Sequence, residues 1–249
     1  MQEGAIAALI FVCLITASLA SQLVYRRLPD KHRQDDTHGV VTSLAGIFVV
    51  MTSLVLGLLL NSAKNTFEQV DHDMHTYATD LILLDRTLIQ YGADAGDTRR
   101  LLLTYARRAA TDTSQDDPRI ADRTSESMLE AVGKSLRSIK PETPESVARW
   151  KDAQEQFRKI VELRWTIVEQ SEGTISMPLV ALIAAQLMLI FASFGYRAPR
   201  NAVVVTSFVV SAALIAAAIY LALDMDAPFS GPIKVSVAPL QRAIAEMQR

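Results

Sequence analysis

The 249 residues carry 25 Lys and Arg against 27 Asp and Glu, and half of them are hydrophobic. A formal charge of −2 with no basic stripe of interleaved aromatics leaves no electrostatic basis for nucleic-acid binding. The single cysteine, Cys13, excludes an intrachain disulfide.

The hydrophobic residues are clustered. Four windows of roughly 20 residues, enough to cross a hydrocarbon core about 30 Å thick, hold no Asp, Glu, Lys, Arg or His: Gly4 to Tyr25, Gly39 to Ser62, Thr174 to Tyr196 and Asn201 to Leu223. One such window fits a buried soluble helix, but four separated by charged stretches predict bilayer insertion. The expected class is all-α: a polytopic membrane protein with four transmembrane helices and a helical, hairpin-like extramembrane domain between spans two and three. The expected division is 1–62 for spans one and two, 63–173 for the inserted domain, 174–223 for spans three and four, and 224–249 for a C-terminal tail.

Glu3 precedes the first apolar core, whereas Arg26, Arg27, Lys31 and Arg33 follow it. A cleavable signal has its basic region on the other side, so this is an uncleaved span. Orientation follows Lys and Arg in short loops. The loop from Arg26 to His38 holds four and Arg197 to Arg200 holds two, which places these loops in the cytoplasm. The insert and both termini are then extracytoplasmic; with 16 Lys and Arg against 20 Asp and Glu, the insert does not oppose this. His32, Asp35, Asp36 and His38 in the first loop suit either a metal or ordinary solvation.

In the second span Thr42, Gly46, Ser53 and Gly57 fall within about 60° of one another at 100° per residue. Such a small, weakly polar stripe serves close helix packing or faces a pore in an oligomer. Beyond this span Phe67, Val70, Met74, Tyr77, Leu81, Leu84, Leu88 and Tyr91 recur at alternating spacings of three and four. That is a heptad seam, predicting one helix that leaves the membrane unbroken, projects roughly 40 Å at 1.5 Å per residue and stops at Gly92. The seam packs on a return helix of the same subunit or along an axis between subunits. Asp71-His72-Asp73-Met74-His75 puts His72 and His75 one turn apart, a spacing that can hold a transition metal, but the sequence nominates no further ligand. A solvated polar face is the simpler reading.

Two shorter helices are predicted over Thr98 to Thr111 and Pro118 to Ile139, with a polar loop between them. The return helix opens with Thr143 as N-cap and Pro144 in its first turn, and ends at Ser171. On it Arg164 falls among Ile160, Val161, Leu163, Ile167 and Val168. A buried guanidinium needs a partner. Helix heights favour Asp71 or Asp73 over Asp85, which should lie level with Arg149 and Trp150; alternatively Arg164 extends its head to water over a packed stem.

The third span carries Gln186, which should face another helix. With no ionisable side chain at membrane depth, a pump or coupled transporter has no proton relay. Asp224 and Asp226 follow the fourth span, where carboxylates are either simply solvated or form an acidic ring at a pore mouth. No glycine-rich phosphate loop, nucleophile elbow or paired-histidine zinc-protease motif occurs. The chain is not read as an enzyme, and no cofactor is expected.

Leu84-Asp85-Arg86-Thr87-Leu88 with Tyr91-Gly92, Phe194-Gly195 with Ala198-Pro199-Arg200-Asn201, and Asp224-Met225-Asp226 with Pro228-Phe229-Ser230-Gly231 form a recognisable set, joined by Leu28-Pro29, His32-Arg33 and Asp36-Thr37. As a set they resemble the bacterial bestrophin-like integral membrane family over nearly the full length. The resemblance implies the layout of bestrophins proper, pentameric anion channels with four spans and a helical domain between spans two and three. The sequence departs from bestrophins proper in lacking an aromatic-rich pore neck and an acidic calcium clasp. Their insert is also cytoplasmic, opposite to the side the loop charges assign.

The expected function is a homo-oligomeric ion channel of the bacterial inner membrane, with the second span lining the pore and with lipid and inorganic ions as partners. The alternative is a non-conducting envelope protein whose helical domain senses or scaffolds a partner.

Overall fold

A computed structural model of the chain describes residues 2–27, 35–112, 118–171, 173–196, 198–199 and 201–249. Its elements, in order, are α1 (Gln2–Arg27), α2 (Asp35–Tyr91), a 3-10 turn (Ala93–Ala95), α3 (Gly96–Asp112), α4 (Pro118–Ser138), α5 (Pro144–Gln170), α6 (Met177–Gly195), α7 (Ala202–Asp226) and α8 (Ala238–Met247). No strand occurs among the described residues. Four helices are long and apolar enough to cross a membrane, within Glu3–Tyr25, Gly39–Tyr91, Met177–Gly195 and Ala202–Asp226. α2 runs unbroken from the second span through the whole heptad seam.

The chain forms two compact units. One comprises residues 1–66 and 174–226; the other, residues 67–173 and 227–249. In the membrane unit, α1 packs against both α6 and α7. Its core joins Ile10 and Leu14 of α1, Leu59 and Ala63 of α2, Ile183, Leu187 and Phe191 of α6, and Ala212 and Ile219 of α7. Small residues and polar groups permit close contact where α1 meets α6. A Cβ built on Gly195 would stand 2.5 Å from the Ser18 carbonyl oxygen, and Ser21 Oγ donates to the Ala192 carbonyl at 2.6 Å. The rings of Tyr25 and Tyr196 meet edge to face at 4.8 Å.

The helical unit is built on the seam. Val70, Met74, Tyr77, Leu81, Leu84 and Leu88 are buried against Leu102 and Tyr105 of α3, Leu129, Val132 and Leu136 of α4, Ile160 and Ile167 of α5, and Leu240 and Met247 of α8. Of the two expectations for the seam, packing within the chain is therefore met. Each fully buried leucine contributes roughly 2 kcal/mol relative to exposure, so the unit's stability is concentrated here. α2 ends where Gly92 takes φ of 105°, a conformation that costs glycine little. α5 starts with Pro144 in its first turn and a reciprocal capping box between Thr143 and Ser146.

Residues 227–249, expected as a tail, fold into this unit. Pro239, Leu240, Ala243 and Met247 recur at helical spacing and are buried. The pattern was present in the sequence, but a ten-residue helix with only three or four anchors gives little periodic signal.

Candidate pore-lining site

The membrane half of α2 divides into three sectors. Ala45, Thr52, Leu59 and Ala63 are buried and share one flank. Val40, Leu44, Ile47, Val50, Met51, Leu54 and Leu58 are exposed and, at about 100° per residue, lie broadly opposite. Between these sectors stand Thr42, Gly46, Ser53 and Gly57, all exposed. A Cβ added at Gly46 or Gly57 would meet no atom within 4 Å. Small residues normally admit a neighbouring helix, and the described residues of this chain supply none at these two glycines.

The buried flank is tied down by a polar contact as well as by packing. Thr52 Oγ1 donates to Gln186 Oε1 of α6 at 3.2 Å, so Gln186 faces another helix, as expected for an amide at membrane depth.

Asp224 and Asp226 end α7 and are 1% and 5% exposed, so neither is solvated in the simple interfacial sense. Asp226 accepts from the backbone N–H groups of Thr174 and Ile175, each at 2.8 Å, and from Thr174 Oγ1 at 2.9 Å. It satisfies donors of the segment leading into α6, a folding role that the several acceptor sites of a carboxyl group suit. Asp224 accepts from the Tyr220 hydroxyl at 3.4 Å.

In the helical unit, one hydrogen bond and one electrostatic influence indicate the antiparallel register of α2 and α5. Arg149 Nη1 donates to the Gln90 carbonyl at 3.1 Å. Burial raises the Asp80 carboxyl above its ordinary range, and Lys159 opposes the rise. Ten residues separate each pair along its helix, so Arg164 lies level with about position 75, between Asp73 and Tyr77. Arg149 is thus about five residues further along α2 than the sequence expectation of Asp85.

Arg164 is 8% exposed, and its guanidinium lies 5.8 Å from the Trp165 ring centre. Tyr77 and Tyr105 share a buried hydroxyl–hydroxyl hydrogen bond. Burial, then Tyr105, push the Tyr77 phenol well above its usual range, and Arg164 moderates this. Asp73 Oδ1 accepts from Gln69 Nε2 at 3.0 Å, and its buried Oδ2 makes no hydrogen bond among the described residues. Asp71 Oδ2 lies 4.0 Å from His75 Nε2.

His72 and His75 are exposed, and among the described residues no group of three His, Cys, Asp or Glu is placed to hold a metal. His32 lies outside the described residues, as do the side chains of Asp35, Asp36 and His38.

The sequence reading missed a polar hub. Asp85 is 1% exposed and accepts from Arg99 Nε of α3 at 2.7 Å. Arg99 Nη2 also donates to the Met247 carbonyl at 2.7 Å, and Arg86 lies 3.7 Å from Glu246. A carboxylate in the middle of an apolar seam was the available signal, since a buried charge requires a partner.

Residues 12–240 match the bestrophin-like domain. The chain belongs to the bestrophin-like family. Among solved structures it is similar to crystal structures of a bacterial bestrophin homologue from Klebsiella pneumoniae. One variant has a TM-score of 0.69 at 10% identity, covering 96% of each chain. A second has 0.69 at 10%, covering 98% of this chain and 99% of the other. A form solved by zinc phasing has 0.68 at 10%, covering 96% of each. At this identity the likeness is one of fold. Comparison with curated proteins gave no match.

The motifs that carried the bestrophin-like resemblance occupy folding positions. Asp85 holds the Arg99 hub, and Gly195 admits the Ser18 backbone. Asn201 Oδ1 accepts from Val204 N at 2.8 Å at the start of α7. Asp226 binds the lead into α6, and Gly231 takes φ of 78°. The family motifs therefore specify how this chain folds.

Proposed function

We propose that the chain is a homo-oligomeric ion channel of bestrophin-like architecture, with α2 lining the pore. The observation that carries this reading is the stripe of Thr42, Gly46, Ser53 and Gly57. It is exposed on a membrane helix, backed by a buried flank and, among the described residues, free of neighbours within 4 Å of an added Cβ at both glycines. Backbone and hydroxyl groups at that depth are best placed against another copy or a water-filled lumen. Several copies of the chain around a shared axis supply both. The lack of ionisable side chains within the apolar windows favours passive conduction. Proteoliposomes carrying the purified chain should release trapped salt faster than protein-free vesicles; equal rates with every cation and anion tried remove the reading.

Asp224 acts in this proposal through its field at the end of α7 rather than by contact, since it is buried. Asp226 shares that position but also holds the lead into α6, so the test uses Asp224→Asn alone. The substitution should lower cation conductance most near 0.01 M salt, where the Debye length is about 30 Å, and least near 1 M. An unchanged salt dependence rejects a role for Asp224 at the mouth.

We also place the protein in a bacterial inner membrane with the short loops cytoplasmic, from the Lys and Arg they carry. In a Cys13→Ala background, cysteine at Gln34 should resist a membrane-impermeant thiol reagent in intact cells. Cysteine at exposed Glu142 should react. The reverse pattern puts the helical domain in the cytoplasm.

A further inference from the structure

Between α2, α6 and α7, inside the membrane unit, lies a cavity of about 300 Å³. Its walls include Thr52 and Leu56 of α2, Leu187 and Phe191 of α6, and Phe208 and Ile215 of α7. No lining residue is ionisable. The hydroxyls are those of Thr52, Ser53 and Ser211, and that of Thr52 is already donated to Gln186. The floor is closed: Thr52 is 3% exposed, and Leu187 and Phe191 are each 5%. The rim is open: Phe194 of the lining is 52% exposed, and Val210 and Leu214, next in sequence to the lining residues Ser211 and Ile215, are 50% and 67% exposed.

We propose that this cavity binds one acyl chain of a bilayer lipid. Three properties select that occupant. The lining is uncharged, so it complements hydrocarbon and neither an ion nor a headgroup. A buried water needs two to four polar partners, and with Thr52 engaged the cavity offers few. The rim is also continuous with the exposed apolar surface of α6 and α7, which in a four-span protein faces lipid, so a chain enters sideways without leaving the bilayer. An empty apolar void forfeits dispersion contacts along its whole lining, and a methylene chain restores them.

The site has a consequence for α2. Thr52 and Leu56 form the face that the acyl chain touches, and Ser53 belongs both to the lining and to the exposed stripe. A chain in the cavity therefore sets how closely α2 packs on α6 and α7, and lipid tail identity bears on the stripe from behind. The binding claim rests on the membrane assignment alone and stands whether or not the protein conducts.

The test uses the full-length protein with an added tryptophan, reconstituted into phosphatidylcholine vesicles with and without mid-chain bromine. Trp150 and Trp165 lie outside the four apolar windows and give a background common to all variants. Phe191→Trp reports the cavity floor, and Phe208→Trp reports the facing wall should the first fail to fold. Leu214→Trp is the lipid-exposed reference, and Ile183→Trp, at a site 1% exposed, the buried one. Bromolipid should quench the cavity reporters nearly as strongly as Leu214→Trp and several-fold more than Ile183→Trp. Adding Ile215→Phe, which fills the cavity, should cut the Phe191→Trp quenching while leaving emission present. Quenching of both cavity reporters at the Ile183→Trp level overturns the proposal and means that protein, from this chain or a neighbour, closes the cavity.

Discussion

Replacing Asp85 with alanine should destabilise the helical unit by about 2–3 kcal/mol and release the C-terminal helix α8. Breaking a buried ion pair by removing one partner costs roughly 3–5 kcal/mol, because the remaining charge is left uncompensated. The figure here is set lower because the Arg99 side chain is 37% exposed and reaches water, whereas Asp85 is 2% exposed as a side chain. The loss propagates because Arg99 holds the Met247 carbonyl as well as Asp85. Denaturant unfolding of the full chain in detergent measures the first effect, and faster proteolysis within residues 227–249 the second. Double-mutant cycles then separate partners: Asp85 should couple to Arg99 and not to Arg164. The α2–α5 register leaves Arg164 within reach of Asp73 or Asp71, the ion pair we propose for it. Strong coupling between Arg164 and Asp85 would contradict that register.

Gly195→Ala gives the second large effect, and its sign is diagnostic. In an ordinary helix position this change stabilises by about 1 kcal/mol through propensity alone. Here the new Cβ would stand 2.5 Å from the carbonyl oxygen of Ser18 and 3.2 Å from its Cα, so a backbone must move and α1 must part from α6. Overpacking of this kind costs about 1–3 kcal/mol, and the Ser21 to Ala192 hydrogen bond lies in the same interface. The variant should therefore unfold at lower temperature in detergent, and Gly195→Leu at lower temperature still. Stabilisation of the alanine variant would show that α1 and α6 are not in close contact there.

These two residues mark what was legible in the sequence and what was not. The spans could be read because charge-free windows of span length have few alternatives, and α2 could be followed to Tyr91 because a seam of alternating threes and fours fits only a helix. Gly92, Thr143 and Pro144 gave the helix ends through backbone chemistry that acts locally. Asp85 and Gly195 were recognisable as parts of a family pattern, yet their physical roles depend on partners 14 and 177 residues away. Nothing local nominates Arg99 for Asp85 or Ser18 for Gly195. α8 was missed for a related reason: its anchors Leu240, Ala243 and Met247 acquire meaning only from the helical unit they cover. The stripe on α2 was legible as a pattern, whereas the open space at its two glycines, where no atom of the described residues lies within 4 Å of an added Cβ, was not. Burial of Asp224 and Asp226 was not foreseeable, because a carboxylate just past a span looks solvated until its donors are known.

Planar-bilayer recording of the purified protein beside its Gly57→Leu variant decides whether α2 lines an ion-conducting pore. Gly57 is exposed, with open space around its Cβ position, so leucine there should leave the fold intact and narrow only what lies in front of the helix. The parent chain should give unitary currents, and Gly57→Leu a several-fold lower conductance at matched protein incorporation. Steady absence of current from the parent chain across salts, voltages and pH, or currents untouched by Gly57→Leu, would contradict a pore lined by α2.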